Sequence, residues 1–267
     1  MEIKFINVKY KDIFENFNLE IGSNQIVSII GKSGSGKTAF LDLIYGLDIN
    51  FTGEISIDGK TINSSVKDKK TNSIRKNMFY MSQNYKNQLF NLNVLEDIKY
   101  GISNFDELKL DELLKSFNLK YEVLNKNYYE LSSGEIKKIL MIKMIISDRK
   151  IILLDDPTSG LDKKSLSTLI KIIKKEKRNG KAIILTSYDP EFLLSVSDSI
   201  IILDNGKITK KENKYELLNN QTLLNKCGLS MPCILKFREI VLKRKNIKLL
   251  YRDNINDLIK DIYRNAK

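Results

Sequence analysis

Gly31-Lys32-Ser33-Gly34-Ser35-Gly36-Lys37-Thr38, the stretch GKSGSGKT at residues 31–38, fits the spacing G-x-x-x-x-G-K-[ST]. Its flanks supply the right context. QIVSII (25–30) reads as a buried strand before it, and TAFLDLIYGL (38–47) as a helix after it. The spacing has a physical purpose. Small residues let backbone N–H groups curl around phosphate oxygens, and the N-terminus of the following helix adds a favourable dipole. In such a loop Lys37 reaches the β- and γ-phosphates of a nucleoside triphosphate, while the Thr38 hydroxyl ligates Mg²⁺.

The second half of such a site is expected on a strand that ends in carboxylates. IILLDD (151–156) provides it: four apolar residues, then Asp155 to hold the magnesium through water and Asp156 beside it. Further out, strands and helices alternate. GEISIDGKTI (53–62) reads as strand, turn and strand, 66–76 as an exposed polar loop, and NMFYMSQ (77–83) as a strand leading into an irregular stretch at about 84–97. Helical periodicity runs from about 104 to 148. Strands return at IILLD (151–155), AIILTS (182–187) and SIIIL (199–203), with a helix at about 163–178 between the first two. Asp204-Asn205-Gly206 closes a hairpin, and a mainly helical tail follows from about 213. The expected fold is α/β: a P-loop nucleotide-hydrolase core with a largely parallel sheet, an inserted helical subdomain and a mainly helical C-terminal extension.

Composition narrows the field. The 267 residues are 42% hydrophobic and 29% charged, a globular balance, and no apolar run reaches the ~18 residues of a membrane span. The most apolar stretch, 139–154, is cut by Lys143 and by Asp148–Lys150. The N-terminus lacks the apolar core of a secretory signal, and Cys227 and Cys233, with five residues between them, make neither a disulfide scaffold nor a metal motif. A cytoplasmic location is expected. With no histidine in the chain, His general-base catalysis and His metal ligation are excluded. The formal charge is +12, of which +7 lies in the 42 residues from Lys226 onward; in a Lys-rich protein this reads first as solvated surface.

Leu131-Ser132-Ser133-Gly134-Glu135 resembles the LSGGQ signature of the ATP-binding cassette (ABC) transporter ATPases, and it too stands at the start of an expected helix. Other motifs follow in the family's order. Tyr10 looks like the aromatic that stacks on adenine, and Gln83 like the Q-loop glutamine that links the γ-phosphate and Mg²⁺ to the transport partner. Ser159 to Asp162 looks like the D-loop. More narrowly, residues 82–101, with Gln88 and the Val94/Asp97/Gly101 spacing, resemble the Q-loop region of energy-coupling factor transporter ATPases. Cys227-Gly228-Leu229 to Met231-Pro232 resembles that family's step into its C-terminal helices.

The resemblance implies an ATP- and Mg²⁺-dependent A component at the cytoplasmic face of the cell membrane. Such a component pairs with a second ATPase subunit beneath a membrane T component, and an S component captures a vitamin or metal ion. Movement would pass through a groove near Gln83 and Phe90. It implies an ATPase domain over 1–220, with the helical subdomain at about 90–150, and a C-terminal helical domain over 221–267 for ATPase–ATPase contact. Nucleic acid is not an expected partner: translation-type relatives carry two cassettes and DNA-repair types a long coiled coil.

Four positions depart from the family pattern. Asp156 stands where a glutamate acts as general base, on a side chain about 1.5 Å shorter, and misplacement by ~1 Å is able to cost on the order of a hundredfold in rate. The switch histidine falls at Tyr188 or, by another alignment, at Ser187. Ser133 replaces a signature glycine and Glu135 a glutamine. Three readings stand: an ordinary ATPase with tolerated variants; an asymmetric pair in which this chain's own site hydrolyses slowly while its LSSGE completes the partner's; or a nucleotide-binding subunit with little or no hydrolysis. The rival within the family is the ATPase of another ABC transporter class, an exporter or a different importer.

Overall fold

The protein is described by a computed structural model at residues 2–62, 73–89, 93–102, 104–245, 249 and 255–265. Its main sheet has the strand order β10-β9-β3-β8-β7-β6. Strands β3 (Ile26–Ile30), β6 (Met78–Met81), β7 (Ile151–Asp155), β8 (Ala182–Thr186) and β9 (Ser199–Asp204) run parallel, and β10 (Lys207–Asn213) adds an antiparallel edge. Every residue of β3, β6, β7 and β8 is buried, the condition that makes strands read as unbroken apolar runs. Successive side chains point to opposite faces and feed two cores. Ile152, Leu154, Ile183 and Leu185 join the larger core, while Ile151, Leu153 and Ile184 join the core under the first helix, α1 (Lys37–Tyr45).

A second, wholly antiparallel sheet has the order β2-β1-β4-β5: β1 (Ile3–Tyr10), β2 (Phe14–Ile21), β4 (Thr52–Ile57) and β5 (Lys60–Ile62). The β4–β5 hairpin matches the expectation from Asp58-Gly59. The first two strands were not anticipated. Their alternation is interrupted by register shifts, and Asn7 and Asn16 sit at φ 49° and 52°, so the period of two slips within each strand.

Between β6 and β7 lie α2 (Val94–Lys99), α3 (Glu107–Ser116) and α4 (Ser133–Ser147), joined by short 3₁₀ turns at Tyr121–Asn125 and Tyr128–Glu130. Helix α2 starts inside the stretch expected to be irregular, because the Asn93 side chain accepts from the Glu96 N–H at 2.9 Å and caps it. The fully buried Asp97 accepts from Lys143 Nζ at 2.8 Å and Tyr128 Oη at 3.1 Å, tying α2 to α4. A buried carboxylate is tolerated there because it is paired and hydrogen-bonded.

The polar loop expected at 66–76 proves partly packed. Residues 66–72 lie outside the described residues, but Ile74 is buried and Arg75 donates to the carbonyls of Tyr45 (3.1 Å) and Gly46. Beyond β7 come α5 (Lys163–Arg178), α6 (Pro190–Val196), α7 (Lys214–Leu218), α8 (Gln221–Lys226), α9 (Cys233–Lys245) and α10 (Ile255–Asn265). Leu224, Cys227, Leu229, Met231 and Leu235 belong to the same core as the main sheet. No helix among the described residues is long and apolar enough to cross a membrane.

One turn joins the two sheets beside the phosphate loop. Asn205 and Gly206 both have positive φ, 45° and 71°, as a two-residue I′ hairpin requires. The Gly206 N–H donates to the Ser35 carbonyl at 3.2 Å, and a Cβ on Gly206 would lie 1.5 Å from the Ile13 carbonyl oxygen. Gly206→Ala is therefore expected to destabilise the fold by about 2–4 kcal/mol in urea denaturation, since backbone has to move to admit it. Asn205→Gly should leave stability nearly unchanged.

Candidate nucleotide site

The functional side chains gather where the parallel strands end. In α/β sheets the carboxyl edge leaves a crevice between strand ends and helix N-termini. Here a cavity of about 270 Å³ is lined by phosphate-loop residues Ser33, Gly34, Gly36, Lys37 and Thr38, together with Ile13, Ala39, Gln83, Asp155, Asp156 and Tyr188. Gly36 starts α1 at φ 101°, and a Cβ there would press on Ile13 and Phe14 at 2.9–3.3 Å, so glycine is needed for conformation and space.

Lys37 is buried, and its ammonium donates to the carbonyls of Gly31 (2.8 Å) and Lys32 (2.7 Å). The loop is thus folded around its own lysine. Ser35 Oγ lies in the same loop, buried and without a hydrogen-bond partner among the described residues. Thr38 Oγ1 donates to Asp155 Oδ2 at 2.7 Å, and Thr186 Oγ1 donates to Asp155 Oδ1 at 2.6 Å. These hard oxygen donors, a hydroxyl and a carboxylate side by side at the mouth of a phosphate loop, fit Mg²⁺.

Asp156 is half-buried at φ 49°. Its N–H donates to Thr186 Oγ1 (3.0 Å), and its Oδ1 accepts from Thr158 Oγ1 (3.3 Å). Burial pushes its carboxyl above the ordinary carboxylate range, opposed by the nearby Lys137 ammonium and the Thr158 hydrogen bond. Of the two alignments for the switch position, Tyr188 is the one at the cavity: 43% exposed, with its ring centroid 4.8 Å from Lys37 Nζ. Ser187 is buried, sharing a 3.2 Å hydrogen bond with Thr158 and accepting from the Asp189 N–H at 3.1 Å. Gln83 follows the end of β6, exposed, on the cavity wall.

Tyr10, expected beside the adenine, lies away from this cavity. It is only 5% exposed. Its hydroxyl donates to Asp48 Oδ2 at 2.9 Å, and its ring lies between Phe14 (centroids 6.4 Å apart) and Lys11 Nζ (4.6 Å). The tight turn from Tyr10 to Ile13, closed by a 3.1 Å backbone hydrogen bond, brings Ile13 rather than an aromatic ring to the cavity.

The LSSGE residues lie apart from this cavity. Ser132 caps α4: its Oγ accepts from the Glu135 N–H (3.2 Å), while Glu135 Oε2 accepts from the Ser132 N–H (2.9 Å) and Oγ–H (2.8 Å). This is a capping box, and the backbone and hydroxyl donors of Ser132 hold the Glu135 carboxyl below its usual range. Ser133 and Asp162 are exposed, and Gly134 packs on the Gly160 carbonyl. Asp162 caps α5, and hydrogen bonds from the Ser165 N–H and Oγ–H bring its carboxyl down to about 2. None of residues 132–135, nor Asp162, lines the cavity around Lys37.

Two residues at the site escaped sequence reasoning. Thr186 closes β8 and bonds both Asp155 and the Asp156 N–H; a polar residue ending an apolar run was its only signal. Lys137, buried in α4, donates to the carbonyls of Asp156 (3.2 Å) and Ser159 (2.5 Å). Burial pushes its ammonium pKa down, against the charge of Asp156. In sequence it was one lysine among many.

A phosphate loop, a hydroxyl–carboxylate pair and an adjoining second carboxylate on the open edge of a parallel sheet define a P-loop nucleotide hydrolase. A family model described as ABC transporter matches residues 14–159, more than half of the chain, and the chain belongs to the ABC transporter ATPases. A second model, described as an AAA domain of a putative AbiEii toxin of a type IV toxin–antitoxin system, matches residues 124–195.

Relatives extend over most of the chain. The energy-coupling factor transporter ATP-binding protein EcfA2 of Leuconostoc mesenteroides is 31% identical, covering 88% of this chain and 85% of its own. EcfA2 of Staphylococcus epidermidis is 29% identical, covering 92% of each. Among solved structures, the ATP-binding cassette MJ0796, a dimer in a post-hydrolysis state bound to ADP and Pi, matches with TM-score 0.70 and 26% identity over 79% of this chain and 98% of its own. The cbiO1 protein of Clostridium perfringens, part of the ABC transporter complex cbiONQ, shares the fold with TM-score 0.68 and 23% identity over 89% of this chain and 98% of its own. The protein is an ATP-binding ABC ATPase, similar to the ATP-binding proteins of energy-coupling factor transporters.

Lys37→Ala is expected to weaken ATP binding on the order of ten- to a hundredfold by fluorescence titration, the loss of a charge-assisted contact. Tyr10→Leu should lower thermal stability by removing the Asp48 hydrogen bond and leave that affinity unchanged.

Proposed function

We propose that the chain is the ATP-binding and ATP-hydrolysing A component of an energy-coupling factor importer, coupling hydrolysis to transmembrane uptake. The division of the nucleotide machinery between two faces carries this reading: LSSGE and Asp162 stand apart from the cavity that holds Lys37, Thr38 and Asp155. A second ATPase subunit facing this one head-to-tail supplies its signature to this cavity and receives LSSGE in its own. The dimeric MJ0796 cassette and the EcfA2 relatives support that arrangement.

Within the composite site, the phosphate loop from Gly31 to Gly36 and Lys37 grip the triphosphate. Thr38 and Asp155 hold Mg²⁺, with Gln83 alongside; the ion when bound neutralises charge on the phosphate oxygens. Asp156 accepts the proton of the water that attacks the γ-phosphorus as the bond to the β-phosphate oxygen breaks. Tyr188 offers a hydroxyl to phosphate oxygen and carries no positive charge.

A groove of about 580 Å³ shares Thr38 and Gln83 with the nucleotide cavity and continues past Tyr80, Tyr100 and Arg149. This continuity supports it as the seat of the membrane T component, which works with an S component that captures the vitamin or metal ion. Phe90, expected in the same groove, lies outside the described residues. The chain then sits peripherally on the cytoplasmic face of the membrane. Residues 1–220 form its ATPase domain, and the helices from 221 onward serve contact between the two ATPases.

One specific feature favours an asymmetric pair, in which this chain's own site turns over slowly: a short Asp156 beside a tyrosine in place of histidine. Purification through a tag on this chain from its native membrane should recover a second ATPase and a polytopic membrane protein, and the complex should release phosphate only with magnesium present. Recovery of the chain alone, without Mg²⁺-dependent turnover, would favour a nucleotide-binding role instead. In the asymmetric case Asp156→Glu raises turnover and Asp156→Asn leaves most of it intact; abolition of all turnover by Asp156→Asn identifies this site as the motor.

A further inference from the structure

Helix α4 carries two successive lysines just after its cap, Lys137 and Lys138, and they have different surroundings. Lys138 is an ordinary ion-pairing residue, 3.3 Å from Asp162. Lys137 is 6% exposed. Among the described residues its ammonium has no carboxylate hydrogen-bond partner; its acceptors are the backbone carbonyls of Asp156 and Ser159 at 3.2 and 2.5 Å, with the Tyr85 ring centroid 5.5 Å away. Burying an ammonium is costly unless its donors are satisfied, and a methionine would fill the same volume without that cost. What the charge adds is a grip on two carbonyls of one loop.

That loop needs such a grip. Asp156 is held at φ 49°, in the left-handed region, which a side-chain-bearing residue keeps only when its surroundings over-determine it. Its N–H is fixed by Thr186 and its carboxylate by Thr158, and Lys137 is the group on its carbonyl. The same loop meets α4 again where Gly160 packs against Gly134, and where Lys138 pairs with Asp162.

We propose that Lys137 is a positioning residue for hydrolysis: by clamping the Asp156 and Ser159 carbonyls from helix α4, it aims the short Asp156 carboxylate at the attacking water. The proposal rests on the reading that Asp156 accepts the proton of the attacking water.

The test uses the complex purified through a tag on this chain, with the catalytic carboxylate of the second ATPase neutralised so that turnover reads this chain's own site alone, and with Lys137→Met, Lys137→Arg, Asp156→Asn and the Lys137→Met/Asp156→Asn double variant introduced there. Lys137→Met is expected to lower kcat on the order of ten- to a hundredfold. The KM for ATP should stay within about twofold, because an effect confined to kcat marks a transition-state interaction. Lys137→Arg, which keeps donors for both carbonyls, should restore most of the rate. In the Asp156→Asn background, Lys137→Met should cost nothing further, since residues acting through one group are not additive. An unchanged kcat in Lys137→Met, an equal loss in both backgrounds, or a loss that appears only in KM overturns the positioning role. Should Lys137→Met fail to assemble, Lys137→Gln, with an uncharged amide on a shorter side chain, is expected to give an intermediate kcat, and wild-type kcat in that variant overturns the role equally. If Asp156→Asn itself leaves turnover unchanged, the reading of Asp156 falls and the role of Lys137 with it. Loss in Asp156→Asn with none in Lys137→Met removes the role of Lys137 alone.

Discussion

The carboxylate of Asp155 is the point on which the site is assembled. It is buried, and a buried carboxylate persists only where its oxygens are satisfied. One oxygen takes the hydroxyl of Thr186 and the other that of Thr38, so a single side chain ties β7 to β8 and to the first turn of α1. That triangle sets the start of α1 against the sheet edge. The phosphate loop, whose C-terminal end is the start of α1, then has little freedom left, and Lys37 closes it by bonding the carbonyls of Gly31 and Lys32.

The remaining chemistry is arranged around that fixed edge by elements that have two faces. Helix α4 presents its capped N-terminus, with Ser132 and Ser133, to solvent, while one turn later Lys137 points inward to the loop that follows β7. A helix capped by its own Glu135 needs no partner to hold its shape, so the LSSGE surface stands preformed. The loop between β7 and α5 is likewise held from both ends, by Thr186 at Asp156 and by the cap that Asp162 makes on Ser165. The division of one chain into a phosphate-gripping cavity and a separate signature surface follows from this geometry.

Much of this was legible in residue order. The phosphate loop could be read because its function depends on local spacing, β3, β7 and β8 because every residue in them is buried, and β9 because its four central residues are. The β9–β10 and β4–β5 turns declared themselves through Asn-Gly and Asp-Gly. Strands β1 and β2 did not, since their bulges at Asn7 and Asn16 scramble the alternation that marks a half-buried strand. Helix α2 was hidden because its evidence is one asparagine cap on six residues. For Tyr10, motif order located it along the chain, but its burial next to a turn closed by the Ile13 N–H on its own carbonyl is a tertiary outcome.

Sequence alone determined the class of chemistry. Glycine spacing, a lysine and a threonine at the mouth of a helix, and two aspartates ending an apolar strand can serve little else, because backbone conformation at those positions is dictated by the residues themselves. Tertiary structure alone decided which side chains share space. It brought Ile13 rather than Tyr10 to the cavity, chose Tyr188 over Ser187, placed Thr186 beneath both aspartates, and turned Lys137 inward from a surface crowded with lysines. Such outcomes depend on contacts between segments distant along the chain, where the cost of burying each polar group is settled by partners that no local pattern names.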